Sequence, residues 1–188
     1  AKPAEAGFLL RDAARNSDFV ALGHEALGVR LTARSQRGAG VTFFDVKLEE
    51  LTGKDRALTL AYTLPLEQEG LTWFHHPRRA IPLAESKTEI MNTTRHPVGA
   101  NGQLSRYPFG AVAAAGKGRA IGIDPATPLV FRTGCQPVTR ELFLVCDIGL
   151  APEKPSAEFR FCVFDFEAAD GFRGALARYY GIYPEAFA

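Results

Sequence analysis

Only one methionine and one tryptophan occur in the 188 residues. No apolar run approaches the roughly 18–20 residues that a membrane-spanning helix needs. Charge of one sign is also missing. The 22 Lys and Arg stand against 21 Asp and Glu, a formal net charge of +1. That balance gives no electrostatic reason to expect nucleic acid or an anionic membrane as a partner. Cysteine is scarce, with Cys135, Cys146 and Cys162 all in the last third. An odd count without metal-ligand spacing excludes a disulfide framework and argues against zinc. Cys146 and Cys162 sit inside apolar runs, so they read as small buried hydrophobes. Nucleophile elbows, phosphate-cradling glycine loops and Cys/His nucleophile patterns are missing too. Gly116-Lys117-Gly118 reads as a turn, because no helix follows it. No catalytic residue, metal or cofactor is expected from these patterns.

What is present is aromatic and strand-like. Fourteen phenylalanines and 46% hydrophobic residues supply a core. Residues 19–22 and 29–33 read as short strands with a glycine-flanked turn between them. Residues 41–51 and 57–66 alternate cleanly, with Leu58, Leu60, Tyr62 and Leu64 on one face. A Thr52-Gly53-Lys54-Asp55 turn separates them, so the two read as a long antiparallel hairpin. Residues 71–77 form a short aromatic strand. Residues 77–102 read as an irregular connection with a strand at about 85–91. Strands follow at 109–115, 119–123, 129–133, 141–148 and 157–166. The last has apolar residues in both phases, as expected of a strand covered on both sides. One helix closes the chain, with Phe172, Ala175, Leu176 and Tyr179 at helical spacing. Asp170 reads as its cap, Gly181 as its end, and Pro184 lies just beyond. The expected fold is therefore all-β: a two-sheet antiparallel sandwich, or supersandwich, with one C-terminal helix. No linker divides the chain, so 1–188 reads as a single domain.

Trp73-Phe74-His75-His76-Pro77-Arg78-Arg79 is the densest polar-aromatic cluster. Sugars present apolar C–H faces and hydroxyl edges. Trp73 offers a stacking platform, and His75, His76 and Arg78 offer hydrogen bonds beside it. The competing reading places Trp73 in the core. Neighbouring histidines of a strand point to opposite sides, which argues against a shared metal ion. An epimerase would need an acid and a base facing a sugar ring, for which His75, His76 or His96 with Glu85 or Glu89 are the candidates. No spacing demands that pairing. Asn92-Thr93-Thr94 fits the glycosylation acceptor pattern.

Leu104-Ser105-Arg106-Tyr107-Pro108-Phe109-Gly110-Ala111-Val112 is followed by Gly118-Arg119-Ala120-Ile121-Gly122-Ile123, then by Pro128-Leu129-Val130-Phe131-Arg132 and Asp147-Ile148-Gly149-Leu150. The run closes on residues 170–180 and on Tyr183-Pro184-Glu185-Ala186-Phe187. This order resembles the N-terminal β-sandwich of a group of large bacterial and archaeal proteins related to glycoside hydrolases. In that group, a galactose-mutarotase-like sandwich leads through such a helix into a (β/α)8 barrel. The resemblance implies a non-catalytic accessory domain at the N-terminal part of a longer protein, packed on a following catalytic domain. Tyr180, Tyr183 and Phe187 would then meet that domain, since exposed aromatics at a chain end make an unusual apolar patch. The alternatives are an independent carbohydrate-binding module and an aldose-epimerase-like enzyme.

Overall fold

Strands with apolar residues in alternate positions need a partner layer, and this chain pairs two sheets to supply it. The computed structural model describes residues 6–93, 102–127 and 129–187. Its strands are β1 (Gly7–Asp12), β2 (Val20–Ala21), β3 (Glu25–Ala26), β4 (Val29–Gly38), β5 (Val41–Glu50), β6 (Arg56–Pro65), β7 (Thr72–His76) and β8 (Arg79–Pro82). They continue as β9 (Ile90–Thr93), β10 (Gly102–Leu104), β11 (Phe109–Ala114), β12 (Lys117–Ile123), β13 (Val130–Gln136), β14 (Glu141–Leu150) and β15 (Ser156–Glu167). The helix α1 spans Phe172–Ile182. The first sheet runs β10-β9-β13-β14-β6-β1-β2, and the second runs β3-β4-β5-β15-β12-β11-β7-β8. All described pairings are antiparallel except β10 on β9. The expected two-sheet all-β sandwich is what forms.

The expected pairing of residues 41–51 with 57–66 is corrected. β5 pairs with β4 and β15 in the second sheet, whereas β6 pairs with β1 and β14 in the first. The true hairpin partner of β5 is β4. Ala39 (φ 47°) and Gly40 (φ 73°) both take the left-handed conformation, the turn that matches strand twist. The 51–55 turn instead carries the chain from one sheet to the other. The Glu50 carboxylate holds it by accepting from the backbone N–H groups of Thr52, Gly53 and Lys54.

Two apolar layers result. Leu10, Leu48, Leu60, Leu142, Ile121 and Phe161 belong to the layer between the sheets. A second layer lies on the outer face of the second sheet, beneath α1. β15 serves both: Phe159 and Phe161 face inward, and Cys162, Phe164 and Phe166 face the helix. The expectation of a strand covered on both sides holds. α1 crosses the sheet from Phe74 of β7, beside Gly171, to Phe43 of β5, against Tyr183. Tyr179 is fully buried, donates its hydroxyl to the Ile123 carbonyl at 2.5 Å, and lies over Gly122. A Cβ at Gly122 would come within 2.9 Å of the Tyr179 ring, so the glycine leaves the notch that seats it. Asp170 does not cap the helix. Gly171 is the N-cap residue, no side chain caps it, and α1 runs one residue past Gly181.

The 77–102 connection holds more structure than expected. β8 closes a hairpin on β7, and its proline-containing sequence is tolerated because it is an edge strand. The strand expected at 85–91 begins at Ile90, after a short 3-10 turn at Leu83–Glu85. His96 and the Pro97–Gly99 part lie outside the described residues.

Candidate functional site

The residues singled out around Trp73 do not assemble into one surface. Trp73 and His75 share a face of β7, as the strand period requires, and that face points between the sheets. Trp73 is 0% exposed, and a Cβ on Gly110 of the neighbouring strand would come within 2.6 Å of its ring. A ring buried on both sides offers no face to a sugar, so the stacking-platform expectation for Trp73 is corrected to a core role. His75 is also buried, and its Nδ1 lies 2.7 Å from the Asn92 carbonyl oxygen. Asn92 in turn donates to the His75 backbone carbonyl at 3.1 Å. Burial pulls the His75 imidazole below its ordinary range, with the Asn92 bond opposing and nearby Arg79 and His76 adding to the shift. His75 is thus a neutral structural group that donates from Nδ1 to Asn92. The same bond removes Asn92 from the surface, so the acceptor pattern at Asn92 is not available for a glycan; Thr94 lies outside the described residues. His76 is half-buried, and its Nδ1 accepts from the Arg78 backbone N–H across the β7–β8 turn, where Arg78 is exposed. Glu85 is exposed and Glu89 half-buried. Burial raises the Glu89 carboxyl, with Arg132 opposing.

Cysteine chemistry is equally quiet. All three thiols are buried and free. Burial pushes Cys135 up to about 12 and Cys162 up to about 11, and it raises Cys146 as well. None supplies a thiolate at neutral pH. Among the described residues, no group of three or more His, Cys, Asp or Glu is placed to hold a metal ion.

The chain-end aromatics divide. Tyr183 is half-buried between Phe43 and Tyr179, at ring distances of 6.2 and 5.1 Å. Burial raises its phenol, whose hydroxyl lies against the Cys162 thiol. Tyr180 and Phe187 stack on each other at 4.2 Å and remain 42% and 39% exposed. They form a paired apolar projection beside the buried Tyr179.

A site that the residue-level reading missed lies where β6 and β15 end. An open cleft of about 780 Å³ separates the sheets there. Its apolar wall is Leu64, Leu66, Leu71 and Val112. Opposite stand Lys117 and Arg119 of β12, in register with Glu167 and Asp165 of β15. Arg119 donates from Nε to Asp165 at 2.9 Å. The rim from Glu67 to Gln68 is pinned, because Arg140 donates to the carbonyl oxygens of both residues. Arg178 of α1 completes the cleft and bonds the Ala39 carbonyl in the β4–β5 turn. The missed signal was phase. Asp165 continues the inward face of Phe161 and Val163, and Arg119 continues that of Ile121 and Ile123, so charges point inward where apolar residues stop.

No protein-family model and no curated protein matches the chain. Solved structures do align with it. The GH36 α-galactosidase AgaA of Geobacillus stearothermophilus, solved with raffinose, aligns with 88% of this chain and 28% of its own, at 13% identity and a TM-score of 0.49. The GH36 α-galactosidase AgaB of the same organism aligns with 74% of this chain and 22% of its own, at 14% identity and a TM-score of 0.48. The Slr1438 protein of Synechocystis sp. PCC 6803 aligns with 73% of this chain and 54% of its own, at 9% identity and a TM-score of 0.45. The chain therefore spans about half or less of the length of each. Likeness at this level assigns neither a family nor an activity; the all-β class rests on the strands and pairings described above.

Proposed function

We propose that this chain is an accessory β-sandwich of a carbohydrate-active protein, supporting a catalytic (β/α)8 domain rather than carrying out a reaction itself. The observation that supports the reading is the stacked Tyr180–Phe187 pair, exposed at the end of α1 on the outer face of the second sheet. Two large rings left in water cost apolar burial that a covering surface recovers. Tyr183 braces the pair's base against Phe43 and Tyr179, which favours a fixed surface over a loose tail. The sequence resemblance over residues 104–187 supplies the kind of partner. In this reading Trp73 and His75 hold the sandwich together, and no catalytic residue is assigned.

Hydrogen–deuterium exchange on this chain alone and on the natural gene product tests the reading. Amides at 180–187 are expected to exchange at least about tenfold more slowly in the gene product, because a covering domain suppresses local opening. Equal exchange in the two samples sinks the docking role.

A further inference from the structure

We propose that the cleft at the β6 and β15 ends is a binding site for a neutral carbohydrate. The choice of a sugar among neutral polyols rests on the carbohydrate-related reading above. The location and the neutrality come from the cleft alone.

Size comes first. About 780 Å³ lies within the roughly 300–1,000 Å³ of small-molecule sites. Charge comes second. Lys117, Arg119 and Arg178 line the cleft together with Glu67, Asp165 and Glu167, three cationic side chains and three acidic ones. Equal numbers leave no net charge to favour a phosphate, a carboxylate or an amine. A neutral ligand with many hydroxyls, by contrast, needs donors and acceptors side by side. Arg119 and Asp165 provide that pair in planar form. Arg119 uses Nε on one oxygen of Asp165. Its Nη groups and the second oxygen of Asp165 make no other hydrogen bond among the described residues. At 46% and 58% exposure both side chains remain open to the cleft. A guanidinium N–H donor and a carboxylate acceptor held beside each other match two neighbouring hydroxyls of a sugar ring, and hydrogen bonds to charged groups are the stronger ones. Third, the opposite wall is aliphatic. Leu64, only half-buried, presents C–H surface to a ring face while its hydroxyl edge meets Arg119 and Asp165, and the buried Leu66, Leu71 and Val112 back it. Finally, the Arg140 bonds to Glu67 and Gln68 hold the rim in place, so less ordering is left to be done on binding.

The inward charges would otherwise be a poor place to spend two strands. Ile121 and Val163 show what the same face does when it is core. Arg119 and Asp165 continue that face into water without closing the sandwich.

The test is an NMR titration of the isotope-labelled chain with glucose, galactose, mannose, lactose and raffinose, and with glucuronate and glucosamine as charged controls. Saturable shifts are expected at the amides of Gln68, Arg119 and Asp165 with at least one neutral sugar, and neither charged control should bind more tightly. Arg119→Gln and Asp165→Asn should each weaken that binding about tenfold. Both residues are exposed, so unchanged thermal midpoints will show that the variants fold. The proposal is overturned by an absence of saturable shifts in the cleft with every sugar. It is equally overturned by undiminished binding in both variants or by tighter binding of a charged control. Exchange at residues 180–187 reads the docking role independently, so either proposal can fail alone.

Discussion

Where β6 begins, Arg56 lies 3.3 Å from Asp12 and 3.5 Å from Glu50, with the three side chains only 9%, 6% and 1% exposed. Where β6 finishes, Arg119 and Asp165 lie 2.9 Å apart with about half of each side chain in water. The first end is closed. Glu50 also accepts from Thr52, Gly53 and Lys54, and Arg56 donates to the Leu27 carbonyl, so charge knits the two sheets and the 51–55 crossover together. The second end is open, and its charges line a cleft. One strand thus joins a structural use of ion pairs to an adaptable one. The difference is burial: an ion pair out of water has nothing to replace a lost partner, whereas a solvated one has water.

Breaking the closed end should have the largest effect. Arg56→Ala strips the buried Glu50 of its ion-pair partner and leaves the buried Asp12 only the exposed Arg15 guanidinium at 3.7 Å, and stability should fall by about 3 kcal/mol. Urea unfolding measures it. A loss no larger than that of an exposed ion pair would erase the distinction between the ends. Acid probes the same end without mutation. The Thr52 hydroxyl bond, followed by the backbone donors, holds the Glu50 carboxyl below its ordinary 4.5. A carboxyl depressed in the folded state stabilises the fold above about 4.5, and that contribution is lost as pH falls through the folded value. Glu50→Gln should flatten the pH dependence of the urea midpoint in that window. An unchanged slope would remove Glu50 from the explanation. Next in size is Tyr179→Phe, which keeps the ring over Gly122 but orphans the Ile123 carbonyl. It should cost about 1 kcal/mol by thermal unfolding; no change would mean that water replaces the hydroxyl.

The closed end and the open end were not equally legible in the sequence. β15 announced its two apolar faces through Phe159 and Phe161 in one phase and Cys162, Phe164 and Phe166 in the other, and both faces are covered. α1 was legible from the spacing of Phe172, Ala175 and Tyr179. Strand partners were not. The alternation of β5 and β6 says that each has a buried face, but nothing in it says whether they share a sheet; Glu50 decides that by bending the crossover. β1 passed unnoticed because Gly7–Asp12 is short and its apolar residues are consecutive. Trp73 had two readings because a ring beside histidine and arginine suits a sugar or a core equally. Gly110, distant in sequence, settles it by making room for the ring. The cleft was hidden for a similar reason: it needs Leu64–Gln68, Leu71, Val112, Lys117–Arg119, Asp165–Glu167 and Arg178 brought together from parts of the chain far apart in sequence.

The smallest effect sharpens the contrast most. Arg119→Gln removes one charge of an ion pair as short as any in the closed end. Length alone would therefore predict a large loss. Exposure predicts the opposite, because Asp165 keeps its water and the freed carboxylate pays little for losing its partner. The strand pairing around it does not depend on the side chain, since β12 and β15 remain in register from Lys117 to Ile123 and the Asp165 backbone N–H bonds the Gly40 carbonyl at 3.0 Å. The expected change in unfolding free energy is within about 0.5 kcal/mol, and added salt should shrink it further. A loss approaching that of Arg56→Ala would mean that the open end is held by its charges as the closed end is, and the cleft would then be a by-product of a structural clasp.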